Sequence, residues 1–505
     1  MGEFSLLDDY QYAFPEDFYD ETGEIDMQKL MELLEANPEL MEQFQEMYED
    51  DDTYLPADDY VYTSLPTLQD TYTDCILPNM SSALESIAPL LAACVLCSII
   101  TRCSTSTRPL SHILYSLLGL LVLYRFFQEN ILILVMYTTI ACGLIQSKFL
   151  RTRLAVISSL FSLVYVIACE FLISPERWHN VRGAQMILSM KVISLSIDLS
   201  NEKVKSTSIP TTLSYLLHPG NVIFGPWIPY QYYIDSVSSL RGLLDWEWMV
   251  QIYKSCLLSG AYLLWSSCIA SYILPHFTIQ YGRWAEAYRE AQSFRFSHYF
   301  VCSLSEMTLL LSGVASFSSA GELTSHTKVS QPINIELPRS LVEVVTSWNL
   351  PMHKWLKNYV FKVVKPSQGV LTAIFATYMA SSLLHGLNFQ LAAVLLSLGF
   401  YSYTEHSLRH TLANTFNLCV EAKKCLGNPC PHRYGHYDKF SVMVNVSFTC
   451  LAMYHLAYLG VMFDTSETEQ ERGYSMLHTL SKWENLGYSS HMVALCTYCF
   501  YWLIK

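Results

Sequence analysis

Residues 366–404 read PSQGVLTAIFATYMASSLLHGLNFQLAAVLLSLGFYSYT, thirty-nine residues without a formal charge between Lys365 and Glu405. One straight helix of that length would run about 58 Å, nearly twice the ~30 Å hydrocarbon core of a bilayer. The stretch must therefore turn or bend. Its middle reads Leu383-Leu384-His385-Gly386-Leu387-Asn388-Phe389, and His385 is its only histidine. Gly386 can relax the backbone beside it. An ionisable side chain in such a segment is costly and faces a cavity by default. The alternative is a structural histidine at a turn between helices.

Further apolar runs lie near 84–100, 109–127, 130–147, 153–173, 249–274, 296–317, 440–462 and 489–504. With the two halves of the central run they predict an all-α polytopic membrane protein of about eight to eleven spans. No internal repeat is visible. Arg102 and Arg108 follow the first run, and Lys148, Arg151 and Arg153 follow the third. By the excess of Lys and Arg on cytoplasmic loops, both clusters are cytoplasmic and the N-terminal segment lies on the opposite face. Asn79-Met80-Ser81 is a glycosylation sequon close to the expected membrane surface.

Charge divides the chain into an acidic, disordered segment over 1–78 and a membrane-embedded body over 79–505. Residues 1–80 carry 22 Asp and Glu and one Lys, whereas the rest carry 23 acidic and 30 basic residues. The segment has too little apolar surface to offset its chain entropy. Met27 to Met47 could form short amphipathic helices on a partner. No cleavable signal peptide is expected. The body is not basic enough to suggest nucleic-acid binding. Most of the fifteen cysteines, Cys94, Cys97 and Cys268 among them, sit in apolar runs and read as small hydrophobes without a disulfide framework.

Two stretches interrupt the spans. Residues 174–245 and 318–368 are polar or amphipathic and rich in Trp, Tyr, Pro and Gly. The segment Gly220 to Pro229 is too short and broken to cross, so it must be re-entrant or interfacial, buried by protein or lining a cavity. Residues 338–362 mix amide, imidazole, indole and cationic groups, including Trp348, Asn349, His353, Lys354, Trp355 and Lys357. An interfacial aromatic belt with snorkelling lysines is the plain reading of that mixture. Trp178, His179 and Arg182 fall in a block that could be an amphipathic helix. His298 and Glu306 lie eight apart in an expected span, hence on similar faces. His406 and His410 read as a helix end without a role.

Cys419, Cys425, Cys430, His432 and His436 crowd a basic loop with Arg409, Lys423, Lys424 and Arg433. The spacing lacks the tight cysteine pair and second half-site of common zinc modules, so no metal is assigned. Plain thiols or juxtamembrane S-palmitoylation are the expected states.

Trp348-Asn349, then His353-Lys354-Trp355-Leu356 and Leu384-His385-Gly386, resemble the membrane-bound O-acyltransferase family. Its protein-acylating branch is similar to longer blocks here. These are Trp178-His179 with Arg182 to Met186, Phe224 to Trp227, Ser297 to Phe300, Glu336 to Met352, and His455 to Gly460. The resemblance covers roughly 80–505. It implies a multi-helix bundle around an internal tunnel, in the endoplasmic reticulum membrane. It also implies transfer of a palmitoleoyl chain from palmitoleoyl-CoA, a co-substrate and no permanent cofactor, to a serine of Wnt proteins. The family's essential histidine and asparagine map to His385 and Asn349.

On that reading His385 is the general base for the serine hydroxyl, and Asn349 donates to the thioester oxygen or holds the acceptor. Arg339, Lys354 and Lys357 are candidates for the CoA phosphates, and Trp348 or Trp355 for its adenine. Trp178, His179, Arg182, His298 and Glu306 are candidates for the acceptor cavity. The alternatives are a lipid-alcohol O-acyltransferase with the same His–Asn chemistry, or a non-enzymatic Wnt-binding scaffold or transporter.

Overall fold

The structure, a computed structural model, describes residues 65–103, 108–238, 246–278, 281–314, 327–386, 389–425, 430–463 and 476–505. Most of the expected acidic segment, including the possible short helices over Met27 to Met47, lies outside the described residues, as do Leu387 and Asn388. The principal helices are α1 (Leu77–Cys103), α2 (Arg108–Phe127), α3 (Ile131–Gln146), α4 (Leu154–Leu172), α5 (Pro175–Ser200), α6 (Ile209–Leu216), α7 (Tyr230–Ser238) and α8 (Trp246–Leu264). They continue with α9 (Arg283–Leu311), α10 (Leu341–Trp348), α11 (Leu350–Leu356), α12 (Lys362–Leu384), α13 (Phe389–Phe416), α14 (Lys439–Gly460), α15 (Met476–Asn485) and α16 (Ser489–Ile504). Helix begins upstream of α1, at Leu68, where the Thr67 hydroxyl and the Asp70 carboxylate cap each other's backbone N–H groups. Residues 68–78, grouped by charge with the acidic segment, are thus helical.

Among the described residues, five helical stretches are long and apolar enough to cross a bilayer: Leu68–Cys103, Pro109–Gln146, Phe149–Leu172, Trp246–Ile273 and Lys439–Gly460. The second is interrupted at Gln128, whose φ of 45° breaks it between α2 and α3. The other expected spans are helices as well, but of a different character. α9 and α13 carry ion pairs, Arg295–Glu336 at 2.8 Å and the buried Glu405–Arg409. α12 is kinked at Gly369, leaving Thr372–Leu384 as its apolar part.

The lipid-facing pattern is clear in α4. Val156, Leu160 and Val164 form an exposed stripe, while Ser158, Ser162, Val166 and Cys169 are buried. Small and polar residues face protein because lipid offers no hydrophobic penalty for exposing Val or Leu. α5 is the opposite case. The amphipathic block beginning at Trp178 is not interfacial; from Trp178 to Leu199 most of the helix is buried. Buried Lys191 on α5 donates to the carbonyls of Tyr215 and Leu216 at 3.0 Å each and to Asn221 Oδ1 at 2.8 Å. All three ammonium donors are thereby matched, which offsets its desolvation. The broken Gly220–Pro229 segment is buried almost throughout, as its irregular backbone requires.

Cys268 is not a mere space-filler: it forms a disulfide with Cys75, 193 residues away. Disulfides persist on the oxidising side of a membrane. The bond therefore puts the start of α1 opposite to Arg102, in agreement with the charge-based orientation. Asn79 donates to the Cys75 carbonyl at 2.8 Å, so the sequon is helical and beside the disulfide. Cys75→Ser should expose Cys268 to maleimide without reductant and lower the thermal midpoint, by about 2–4 kcal/mol of stability. Labelling of Cys268 in unreduced wild type would refute the pairing.

Apolar packing builds a large cluster from α1 to α7, including Leu123, Tyr137, Leu188 and Tyr215, and a second around Tyr401, Tyr458 and Trp483. A smaller third cluster joins Ile187 and Met190 of α5 to Met352 and Trp355 of α11, with Leu384 of α12 packed against it. That third cluster brings the two motif segments together.

Candidate active site

α12 ends at His385. Its backbone N–H bonds to the Ser381 and Ser382 carbonyls, and Gly386 N–H bonds to Leu383. Gly386 has φ +90°, the left-handed conformation that terminates helices and suits glycine. A Cβ there would lie 2.6 Å from Glu170 Oε2 and 3.3 Å from Arg182 Cδ. The missing side chain lets the end of α12 close onto the α4–α5 corner.

That corner supplies a polar group. Glu170, in the last turn of α4, accepts the Trp178 indole N–H at 2.7 Å. Arg182, one turn along α5, donates to His179 Nδ1 at 3.3 Å, which leaves the His179 proton on Nε2. The Arg182 charge acts on both Glu170 and His385. His385 is half-buried at this corner. Neither ring nitrogen has a hydrogen-bond partner among the described residues. Arg182 is thus brought to His385, with His179 against Arg182 and Trp178 against Glu170. Glu170 was missed in the sequence, although one acid at the end of an otherwise uncharged span was a signal.

Asn349 joins α10 to α11 with extended backbone, φ −143° and ψ 93°. Its Oδ1 accepts Met352 N–H at 2.9 Å and caps α11, so the side-chain oxygen is fixed. The Nδ2 group has no partner among the described residues and is left as a donor. Two residues of α9 hold this junction. His298 Nε2–H donates to the Trp348 carbonyl at 3.1 Å, and its ring stacks on Trp348 at 4.4 Å. Glu306 accepts Val329 N–H at 2.7 Å, and the Val329 carbonyl accepts Leu350 N–H at 2.8 Å. The two do share a face, but they are not partners. They position the backbone on either side of Asn349.

The residues expected at acyl-CoA separate into two groups. Arg339 is committed to the fold, donating to the carbonyls of Cys419 at 2.9 Å and Glu421 at 3.0 Å. Trp348 stacks on His298, and Trp355 is buried with its indole N–H on the Met190 carbonyl at 2.9 Å. These three carry structure. Lys354 is partly accessible and Lys357 exposed, and both lie with Lys423 around His353. That gathering of cations at the α11 end is the part compatible with phosphate. His406 and His410 do not mark a helix end, since α13 continues to Phe416; His410 pairs with Glu421 at 2.8 Å. A lipid-side apolar cleft of about 360 Å³ between Ile113, Leu117, Val135 and Leu213 includes neither His385 nor Asn349.

Asn349 has two separable duties in this geometry. Asn349→Asp keeps the capping oxygen and loses the N–H donor, whereas Asn349→Ala loses both at a stability cost of about 1 kcal/mol. If Nδ2 serves a reacting oxygen, both variants lose on the order of 10²–10³ in rate and only alanine lowers the thermal midpoint. Full activity in the aspartate variant would leave Asn349 as a cap alone.

The described residues thus form a helical body with an imidazole at the end of α12 and a helix-capping asparagine at the start of α11. Residues 116–429 match the MBOAT, membrane-bound O-acyltransferase, family, and this chain belongs to it. It is a multi-pass membrane protein and an acyltransferase. The chain is 38% identical to the human protein-serine O-palmitoleoyltransferase porcupine over 456 residues, covering 85% of this chain and 96% of that protein. It is 30% identical to the Drosophila melanogaster protein of the same name over 478 residues, 87% of each. Lysophospholipid acyltransferase 2 of Arabidopsis thaliana is 23% identical over 320 residues, covering 52% of this chain and 64% of that protein.

Proposed function

We propose that this enzyme transfers a palmitoleoyl group from palmitoleoyl-CoA to a serine hydroxyl of Wnt proteins, in the endoplasmic reticulum membrane. The observation that carries this reading is the similarity to protein-serine palmitoleoyltransferases along 85% of the chain. Relatives acting on lysophospholipids match only 52% of it.

His385 accepts the serine proton as the oxygen attacks the thioester carbonyl. A neutral imidazole is suited to that task at neutral pH. The electron pair displaced onto the carbonyl oxygen is met by a donor such as Asn349 Nδ2. Collapse of the tetrahedral intermediate expels the CoA sulfur, which takes the proton held by His385. The products are a serine ester and CoA thiol. Arg182, with Glu170 and Trp178 behind it, orients the His385 side of the site. Lys354, Lys357 and Lys423 offer charge for the anionic CoA head on the cytoplasmic face. Membrane lipids surround the body, and the acceptor approaches from the other face.

The test is transfer of alkyne-tagged palmitoleoyl from its CoA thioester, in membranes lacking endogenous activity, to three acceptors offered separately. These are a folded Wnt, its serine-to-alanine form, and lysophospholipid. Serine-dependent labelling of the Wnt is expected. Labelling of the lipid alone would assign the enzyme to lipid acylation instead.

A further inference from the structure

The loop after α13 contains a side-chain cluster outside the His385 and Asn349 site. Cys419, Cys425, Cys430 and His432 each direct one ligand atom to a common point, all within 4.8 Å of one another. The Cys419 and Cys425 sulfurs are 3.5 Å apart, and His432 Nδ1 is 3.4 Å from Cys425 Sγ and 3.5 Å from Cys430 Sγ. These separations are far too long for a disulfide bond. A tetrahedral zinc with Zn–S of about 2.3 Å and Zn–N of about 2.0–2.1 Å holds sulfurs about 3.8 Å apart and sulfur and nitrogen about 3.6 Å apart. The observed spacings come close to both. His436, in the same loop, is not part of the cluster.

We propose that Cys419, Cys425, Cys430 and His432 bind one zinc ion. Binding exchanges three thiol protons for the metal and uses a neutral imidazole, leaving a site of net charge −1. Lys423, Lys424 and Arg433, in the same loop, supply compensating charge. They also place the loop on the cytoplasmic face, where thiols stay reduced and available to metal. Four protein ligands close the coordination shell, which makes the site structural and not catalytic. The spacing hid it because the chain returns to Cys419 through tertiary contacts. Leu418 pairs with Tyr434 in an isolated β-bridge, and Cys419 N–H bonds to the Tyr434 carbonyl at 3.0 Å.

The loop needs such a staple, since its own apolar cluster contains only Ala413, Leu418 and Val420 as buried members. It also supports the enzyme. The four successive carbonyls from Cys419 to Ala422 accept from Arg339, Asn445, Arg409 and Ser340. Ser340 caps α10, which leads directly to Asn349. The metal therefore fixes, from outside the membrane core, the segment that presents Asn349.

Full-length protein purified in detergent without added metal should contain about one zinc per chain by elemental mass spectrometry. His436→Ala should keep it. Cys430→Ser and His432→Ala should lose most of it, and His432→Cys should retain it as a four-thiolate site. Chelation should lower the thermal midpoint of wild type, with recovery on Zn²⁺ and not on Mg²⁺, and should open these cysteines to maleimide. Wild type without stoichiometric metal would overturn the proposal, as would His432→Ala with undiminished zinc. Cysteines freed by hydroxylamine and not by chelator would be acylated, which also overturns it.

Discussion

His385→Ala should lower acyl transfer by about 10²–10⁴-fold, the usual contribution of a general base, with little change in thermal midpoint. The two halves of this expectation come from different parts of the structure. The imidazole has no hydrogen-bond partner among the described residues, so its removal breaks no link in the fold. The backbone at 385 closes the end of α12 through main-chain bonds that alanine can also make. A purely structural histidine predicts the reverse, a fall in stability with activity per folded molecule preserved. Single-turnover transfer at saturating palmitoleoyl-CoA, normalised to folded protein, distinguishes them. Undiminished transfer would remove His385 from the chemistry while leaving the family assignment in place.

The largest stability effect should come from Glu405→Ala. Glu405 and Arg409 are a helical pair four residues apart, their side chains 4% and 0% exposed. Glu405 also accepts Leu341 N–H at 2.7 Å at the start of α10. Arg409 reaches the Val420 carbonyl at 2.9 Å, Asn445 Oδ1 at 3.0 Å and the Arg339 carbonyl. Removing the carboxylate leaves a guanidinium charge buried without its counter-ion, at a cost of about 3–5 kcal/mol. The neighbouring His410–Glu421 pair is the internal control, with His410 59% exposed. His410→Ala should shift stability by less than about 1 kcal/mol, because water screens the pair. Thermal unfolding of both variants in one detergent measures the contrast. Equal shifts would mean that the Glu405–Arg409 node does not organise the α10–α13 contact.

Expected and observed site residues differ in an informative way. In the mixed polar stretch Trp348 and Trp355 read as an interfacial belt, and the family resemblance makes them candidates for adenine stacking. Indole N–H groups in such a stretch are as often consumed by buried carbonyls, and Trp355 does this with Met190. On the acyltransferase reading Arg339 is a candidate for the CoA phosphates, yet the loop carbonyls from Cys419 to Ala422 need donors and Arg339 supplies two of the bonds. Composition reports what a side chain can do. Which partner claims it depends on what folds beside it.

The sequence by itself determined the membrane class, the all-helical body, the orientation expected from Lys and Arg, and the break at His385-Gly386. Those features are local or additive: run length against bilayer thickness, charge excess per loop, one glycine. Tertiary structure decided the rest. It joined Cys75 to Cys268, set Glu170 behind Trp178 and Gly386, used His298 and Glu306 to hold the backbone around Asn349, and gathered three cysteines and a histidine from one loop. Each of these depends on distances between residues far apart or irregularly spaced in the chain. No period or composition encodes such distances; only packing of the helices fixes them.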